Sequence, residues 1–179
     1  MAKVRLKRTK LPGRRKPRLP VYDYSNPAWY FVTICTDNMR KIFGEIINGK
    51  MRLNALGKIV ENCWNDIPTH YPNVELDYYV IMPNHVHGII IINSNDFYGL
   101  NVGNENIRSL HKTNLSNVIK GFKIGVTKLS KQNRYYFKWQ KSFYDRIIRN
   151  ERELYNIRKY IEINPLKWGL EKGIENLEI

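Results

Sequence analysis

Hydrophobic positions in the first part of the chain follow the spacing of extended strands. Trp29 to Thr36 is dense in aromatic and β-branched residues, which favour a pleated, largely buried strand. Two short apolar runs, 42–47 and 51–53, follow and are joined through Asn48-Gly49, the dipeptide most typical of a tight hairpin turn. The pattern therefore predicts a first core strand and a small accessory hairpin.

The spacing then becomes helical and afterwards returns to that of strands. From Asn54 to Thr69 apolar residues recur every three or four positions, which predicts an amphipathic helix closed by Pro68. Residues 74–82 and 85–92 are apolar runs separated only by Pro83-Asn84. We expect these two runs to pair as antiparallel central strands.

The last part of the pattern predicts a helix, a strand and a final helix. Leu115 to Ser130 has helical apolar spacing, and Ser142 to Ile148 is typical of a last strand. Asn150, with Glu153 three residues later, forms a variant of the capping box that begins a helix. Pro165 is expected to limit the end of that helix.

The order of these elements is βαββαβ with additions, and it predicts the fold class. It favours an α+β protein with a ferredoxin-like sandwich, in which two helices pack on one face of an antiparallel sheet. An accessory hairpin and a C-terminal helix are added to this core, and the other sheet face should remain available. Residues 93–106 show no periodicity and are predicted to form a loop whose role the sequence leaves open.

Charge suggests the kind of partner. The protein has 30 Lys and Arg against 16 Asp and Glu, a formal net charge of +14 and a pI near 9.8. A polyanion is therefore the natural partner, either a nucleic acid or an anionic membrane surface. The cations are dense at the N-terminus, which is typical of a flexible basic arm. We divide the chain into the arm at 1–20, a single domain at 21–172 and a C-terminal tail at 173–179.

The composition also disfavours two kinds of protein. No run approaches the about 18 apolar residues that a membrane span requires, and the N-terminus is charged where a signal peptide needs an apolar stretch. We therefore expect a cytoplasmic protein, and of the two kinds of polyanion we expect the nucleic acid and no membrane as the partner. Cys35 and Cys63 are the only cysteines and lack C-x-x-C spacing, so we expect both to be reduced and structural.

Four polar side chains are the candidates for chemistry. His85 and His87 alternate on one predicted strand and therefore project from the same face, where two imidazoles suit Mn²⁺ or Zn²⁺ and tolerate Mg²⁺. In the final helix, Tyr160 and Asn164 lie one turn apart at the border of the buried stripe. The phenol could attack phosphorus while the amide oxygen completes the metal shell. A packed tyrosine and two partly exposed strand histidines would produce the same pattern.

A second region mixes aromatic and basic residues, which is typical of proteins that bind single-stranded nucleic acids. Trp139, Phe143 and Tyr144 lie among Lys138 and nearby cations, and at least one of these rings is expected in the core. The candidates for DNA contact are Arg14, Arg15, Lys16, Lys120, Lys123, Lys138, Trp139, Lys141 and Arg146.

Ordered blocks of this sequence resemble a known family. From about Asp23 to Leu170 the chain is similar to the REP-associated tyrosine transposases, which are members of the single-tyrosine HUH transposase superfamily. The blocks that carry the resemblance are Phe31-Val32-Thr33-Ile34, Phe43-Gly44-Glu45, Met82-Pro83-Asn84-His85-Val86-His87-Gly88, Trp139-Gln140-x-x-Phe143-Tyr144-Asp145 and Tyr160-Ile161-x-x-Asn164-Pro165.

The resemblance implies a mechanism and a partner. The pair His85 and His87 would bind Mg²⁺ or Mn²⁺, and Tyr160 would attack single-stranded DNA near a hairpin. Attack would leave a 5′-phosphotyrosine link and a free 3′-hydroxyl, which preserves the energy of the cut bond for rejoining. Asn164 occupies the place of a polar metal ligand, where related enzymes have Gln. The resemblance leaves open whether the protein is a homodimer and whether the tyrosine acts in cis or across a dimer.

Two other classes of function fit parts of the pattern. A domesticated DNA-binding or regulatory protein would keep the fold without cutting, although the intact His85, His87 and Tyr160 count against it. A metal-dependent phosphodiesterase that uses water, such as a two-histidine phosphoesterase, would require two H-x-T or H-x-S motifs. The chain has a single H-x-H motif.

Overall fold

The computed structural model describes residues 23–94 and 113–175, with side chains described through Leu170. The basic arm at 1–20, with Arg14, Arg15 and Lys16, and most of the 93–106 loop lie outside the described residues. The elements, in chain order, are β1 Ala28–Cys35, a 3-10 turn Asp37–Met39, β2 Gly44–Ile47, β3 Lys50–Leu53, α1 Ala55–Asn65, α2 Ile67–His70, β4 Val74–Met82, β5 His85–Ile92, α3 Leu115–Gln132, β6 Tyr144–Ile148 and α4 Glu151–Glu175.

The main sheet is antiparallel and has the strand order β4-β5-β1-β6. This arrangement confirms the α+β class and the βαββαβ order that the sequence predicts. One detail of the prediction is wrong: β5 is central, but β4 lies at an edge because β1 pairs with the other side of β5. In this register Cys35 lies opposite His85 and Thr33 opposite His87.

One face of the sheet carries the main hydrophobic core. Tyr30 and Val32 of β1 and Val86 and Ile90 of β5 are fully buried on this face, where α1 and α3 pack against them. Gly88 lies on the same face, and a Cβ at this position would meet the Trp64 ring at 2.2 Å. The absence of a side chain at residue 88 therefore lets α1 approach the strand that carries both histidines.

The opposite face, which the sequence analysis left available, is partly covered by α4. Ile89 and Ile91 of β5 form a second cluster with Ile157 and Ile161 of α4. Because strand residues alternate between faces, His85 and His87 project toward this second cluster. Helix α4 therefore packs on the sheet face that carries the candidate site.

Local signals confirm the accessory hairpin and the start of α4. Asn48 and Gly49 have φ of 51° and 71°, as a two-residue turn between β2 and β3 requires. The Asn150 Oδ1 accepts the Glu153 N–H at 2.9 Å, so Asn150 caps α4. The Glu153 carboxylate accepts the Arg149 N–H at 3.1 Å, one residue earlier than the usual capping box.

Both proline-based predictions of helix ends are wrong. Pro68 lies in the first turn of α2, where its missing N–H has no helical partner, and α1 has already ended at Asn65. Pro165 lies inside α4, which continues to Glu175, past the predicted domain end at 172. A proline removes one helical hydrogen bond, but packing beyond it can hold the helix, and Leu166 of α4 packs on Gly49.

Two remaining predictions concern cysteines and membranes. Cys35 and Cys63 are both free thiols, and burial raises the pKa of each of them. Within the described ranges, no helix combines the length and the apolar composition needed to cross a membrane.

Candidate active site

Strand β5 brings two imidazoles into direct contact. The Nε2 atoms of His85 and His87 are 2.9 Å apart, and their ring centroids are separated by 4.4 Å. Only 7% of His85 and 6% of His87 is exposed. The histidines therefore form a buried pair and are not the partly exposed strand residues that the sequence pattern also allowed.

Each imidazole is held through its other ring nitrogen. The Asn84 Nδ2 donates to the Met39 carbonyl at 3.2 Å, so the Oδ1 faces His85 Nδ1 at 2.6 Å and can only accept. The His85 proton therefore lies on Nδ1, which leaves a lone pair on Nε2. The His87 Nδ1 lies 2.8 Å from the Thr33 hydroxyl, which can donate or accept.

The hydroxyl of Thr33 allows His87 two tautomers. When Thr33 donates to Nδ1, His87 carries its proton on Nε2 and donates it to His85. When Thr33 accepts, both Nε2 lone pairs face each other across 2.9 Å, an arrangement that requires a cation between or beside them. The pair can thus be satisfied alone or offer two lone pairs to a metal.

Burial keeps both imidazoles neutral. Removal from water lowers the pKa of His85 to about 4. The pKa of His87 is lowered to about 3 by burial and by the neighbouring His85, against the opposing effect of a hydrogen bond to the Val32 backbone. Neutral imidazole is the form that binds metals, so the pair is in the required state at neutral pH.

Helix α4 brings Tyr160 to this pair within a single chain. The Tyr160 hydroxyl lies 3.4 Å from His87 Nε2. The Phe31 ring stacks on His87 with centroids 5.3 Å apart and meets Tyr160 edge-on at 6.0 Å. Tyr160 is 39% exposed, so its hydroxyl borders both the histidine pair and the solvent.

Asn164 follows one turn later and is 8% exposed. Within the described residues, its side-chain amide forms no hydrogen bond, so its oxygen could bind a ligand. Tyr160 and Asn164 are four residues apart in α4 and therefore share a helix face, as the sequence predicts.

The donor atoms fit a small octahedral cation. A metal with bonds of about 2.1 Å at a right angle holds two ligands about 3.0 Å apart, close to the observed separation of the two Nε2 atoms. Residues 23–94 and 113–175 contain no group of three His, Cys, Asp or Glu side chains that could bind a metal. A third protein ligand would therefore have to be of another kind, and the amide oxygen of Asn164 is suitable.

A charged contact fastens α4 to the edge strand. The register of β4 shifts between Leu76 and Tyr79, and this irregularity turns Asp77 toward α4. The Arg158 guanidinium donates from Nε to the Asp77 carboxylate at 3.1 Å and from Nη2 at 2.5 Å. Its carbon also lies 5.4 Å above the Tyr78 ring. This contact sits two residues from Tyr160 and fixes the position of that part of α4.

We expect Asp77→Ala to destabilise the protein by about 1–2 kcal/mol, because the substitution removes the largely buried carboxylate that accepts hydrogen bonds from Arg158. The loss stays moderate because the more exposed Arg158 guanidinium can still be hydrated by water. The free energy of unfolding in urea measures this effect. Asp66→Ala is the matched control, because the Asp66–His70 pair is exposed and should contribute almost nothing. Equal effects of the two substitutions would contradict a docking role for Asp77.

The structure separates the candidate DNA contacts into three groups. Lys120 and Lys123 lie on α3, on the far side of the sheet from the histidines, and Lys123 is occupied by the carbonyls of Gln140 and Ser142. The Trp139 ring packs among Phe43, Phe122 and Phe137 as part of the core. Lys138, Lys141 and Arg146 are exposed.

The β1–β6 register places Arg146 on the histidine face of the sheet. It lies opposite Phe31 in the β1–β6 register and pairs with Glu153 at 3.0 Å. Phe143 is buried in the core, whereas Tyr144 is 57% exposed. The expectation that at least one aromatic of this region is a core residue is therefore confirmed.

Sequence reasoning did not assign a role to several residues that build this site. Thr33 and Asn84 belong to the blocks that carry the family resemblance, but nothing in their spacing shows which histidine nitrogen they contact. Trp168 lies beyond Pro165, where the helix was expected to have ended, and its ring centroid is 6.0 Å from that of His85. The continuation of α4 through Pro165 was the feature needed to find it.

Comparison with known proteins identifies the fold and the family. No protein-family model matches the chain. The solved structure of a REP-associated tyrosine transposase bound to a REP hairpin aligns with 85% of this chain and 74% of its own, with 20% identity and a TM-score of 0.56. A solved Deinococcus radiodurans protein aligns with 81% of this chain and 95% of its own, with 16% identity and a TM-score of 0.43.

This chain therefore has the fold of the REP-associated tyrosine transposases, as the sequence motifs indicated. It belongs to one family with an uncharacterized protein of Haemophilus influenzae. The two are 39% identical over 162 residues, which cover 87% of this chain and 89% of the relative.

Proposed function

We propose that the protein is a metal-dependent DNA nuclease and strand-transfer enzyme that cuts and rejoins single-stranded DNA near a hairpin through Tyr160. One observation carries the proposal: the Tyr160 hydroxyl lies 3.4 Å from His87 Nε2. His87 belongs to a pair of neutral imidazoles whose orientation is fixed by neighbouring side chains. The fold supports it, because the aligned transposase was solved bound to a REP hairpin.

In this mechanism His85, His87 and Asn164 would hold Mg²⁺ or Mn²⁺. The cation would withdraw charge from the scissile phosphate and favour loss of the phenol proton. Thr33 and Asn84 keep the imidazole rings in place, which fixes the direction of their lone pairs. The Arg158–Asp77 contact and the Phe31 ring keep the Tyr160 hydroxyl near the pair.

The reaction conserves the number of phosphodiester bonds. The Tyr160 oxygen forms a bond to phosphorus after its proton passes to water, and the bond from phosphorus to the 3′ oxygen breaks. The leaving oxygen takes a proton from water and becomes a 3′-hydroxyl, while the 5′-phosphate stays on the protein. Attack by a 3′-hydroxyl on this link reverses the process, so joining requires no external energy source.

The proposal is tested by incubating the full chain with a 5′-labelled and a 3′-labelled DNA that carries a hairpin flanked by single strands, in the presence of Mn²⁺. We expect the 3′-labelled DNA to become covalently attached to the protein and the 5′-labelled DNA to be released with a free 3′-hydroxyl. A chelator should prevent both products. Cutting without covalent attachment would favour the hydrolase that uses water, and hairpin binding without cutting would favour the regulatory protein.

A further inference from the structure

A cavity lies at the end of β1. It has a volume of about 460 Å³, within the range of sites for small ligands. The segment from Thr36 to Ile42 forms one wall, and residues 136–138 with Lys131 of α3 form the other. We call this cavity the β1-end pocket.

The pocket is connected to the histidine pair through backbone and side-chain contacts. Thr36 follows Cys35, which lies opposite His85 in the sheet. The Thr36 N–H donates to the Asn84 carbonyl at 2.9 Å, and the Thr36 hydroxyl lies 3.0 Å from the same oxygen. Since the side chain of Asn84 holds His85, Asn84 connects the wall of the pocket to the histidine pair.

The walls of the pocket are positively charged. Arg40, Lys131 and Lys138 line it together with one carboxylate, that of Asp37. In the described part of the chain, none of the three cations forms an ion pair, so their charges are available to an anion. A phosphate group has the charge and the acceptor oxygens to pair with such a set.

The rim of the pocket carries an aromatic surface. Tyr136 is 75% exposed, the largest exposure among the hydrophobic side chains of the described residues. The neighbouring Phe137 belongs to the floor of the pocket and packs edge-on against Phe43, with ring centroids 5.8 Å apart. An exposed ring above a supported floor can stack on a nucleobase, and cations beside such a ring suit the attached phosphate.

The opposite wall is held in an unusual backbone conformation. Asn38 and Met39 both have φ of 52°, a left-handed region that costs energy for residues other than glycine. The contacts of Thr36 with Asn84 and with the Arg40 carbonyl at 2.9 Å close this bend. Strain of this kind is commonly kept where a chain shapes a binding site.

From these observations we infer that the β1-end pocket binds one unpaired nucleotide of the DNA substrate, with its base on Tyr136 and its phosphate beside Arg40, Lys131 and Lys138. The inference rests on the proposed function for the identity of the substrate. It adds a site that distinguishes single-stranded from fully paired DNA, because a base inside a duplex cannot reach Tyr136.

The test measures DNA binding to the full chain by fluorescence anisotropy, in the presence of a chelator. The two ligands are a fluorescein-labelled oligothymidylate of about 20 nucleotides and the corresponding blunt duplex. We expect Tyr136→Ala to weaken single-strand binding about tenfold and duplex binding less than about twofold. Tyr136→Phe should bind as the unchanged protein does. Tyr135→Ala is the matched control, since Tyr135 is an exposed neighbour outside the pocket lining, and it should change neither affinity.

The charged wall has its own measurement. Lys131→Ala should reduce the slope of the logarithm of the association constant against the logarithm of salt concentration by about 0.7, the value for one phosphate of a single strand. Lys128→Ala, on the same helix but outside the lining, should leave the slope unchanged. Photocrosslinking of the unchanged protein to a 5-iodouracil oligonucleotide should attach DNA to the peptide that contains Tyr136.

Loss of single-strand and duplex affinity in equal measure, or no loss with Tyr136→Ala, would overturn the inference, as would crosslinks confined to other peptides. The pocket and the nuclease can fail independently. If Tyr136→Ala selectively weakens single-strand binding but the Mn²⁺ assay yields no covalent adduct, nucleotide binding in the pocket is supported and the proposed nuclease activity is contradicted. If adducts form but Tyr136→Ala and Tyr135→Ala bind DNA alike, nucleotide binding in the pocket is contradicted and the proposed nuclease activity is supported.

Discussion

We expect Tyr160→Phe to abolish the covalent protein–DNA adduct, with a loss of at least about a thousandfold, because the substitution removes the oxygen that we propose as the nucleophile. The substitution keeps the ring that meets Phe31 edge-on, and the hydroxyl borders solvent. Stability should therefore change by less than about 0.5 kcal/mol. The measurement is the denaturing-gel mobility of labelled hairpin DNA after incubation with Mn²⁺.

Tyr155→Phe is the matched control for this experiment. Tyr155 lies on the same helix and is 62% exposed, but it is outside the contacts of the histidine pair. It should form the adduct at the rate of the unchanged protein. Persistence of the adduct in Tyr160→Phe, or its loss in Tyr155→Phe, would contradict the assignment of the nucleophile to Tyr160.

We expect His87→Ala to remove both Mn²⁺ binding and adduct formation, because His87 is a proposed metal ligand. Loss of a side chain that merely orients a metal ligand costs about 10–100-fold in affinity, so loss of the ligand itself should exceed about a hundredfold. His87 is 6% exposed and stacks on Phe31, so alanine also leaves a cavity. His87→Leu, which fills more of the space than alanine and has no donor atom, separates loss of the ligand from loss of packing.

Isothermal titration with Mn²⁺ measures the metal affinity, and the urea midpoint shows whether each variant is folded. His70→Ala is the control, because this exposed histidine pairs with Asp66, outside the contacts of the histidine pair, and should affect neither metal nor DNA. Unchanged Mn²⁺ affinity in a folded His87→Leu protein would remove the histidine pair from the proposed mechanism.

Much of the fold could be predicted because its signals are local. Strand alternation placed His85 and His87 on one face, and the bounds of β4 and β5 agree with the predicted runs 74–82 and 85–92. The cap at Asn150 likewise depends on a contact three residues away. The predicted end of α4 at Pro165 was wrong because it relied on the local preference of proline for helix ends. Packing of Leu166 on Gly49, beyond the proline, opposes that preference, and the helix continues.

The sequence by itself determined the class of fold, the shared face of the two histidines and the shared face of Tyr160 and Asn164, because these follow from the geometry of single strands and helices. The tertiary structure decided which groups contact the Nδ1 atoms of the two histidines, that the Tyr160 hydroxyl lies near His87, and that Trp139 packs in the core while Tyr136 is exposed. The Thr33–His87 and His87–Tyr160 contacts join residues 54 and 73 positions apart, and such contacts depend on how whole elements pack. Periodicity within one element contains no information about that packing.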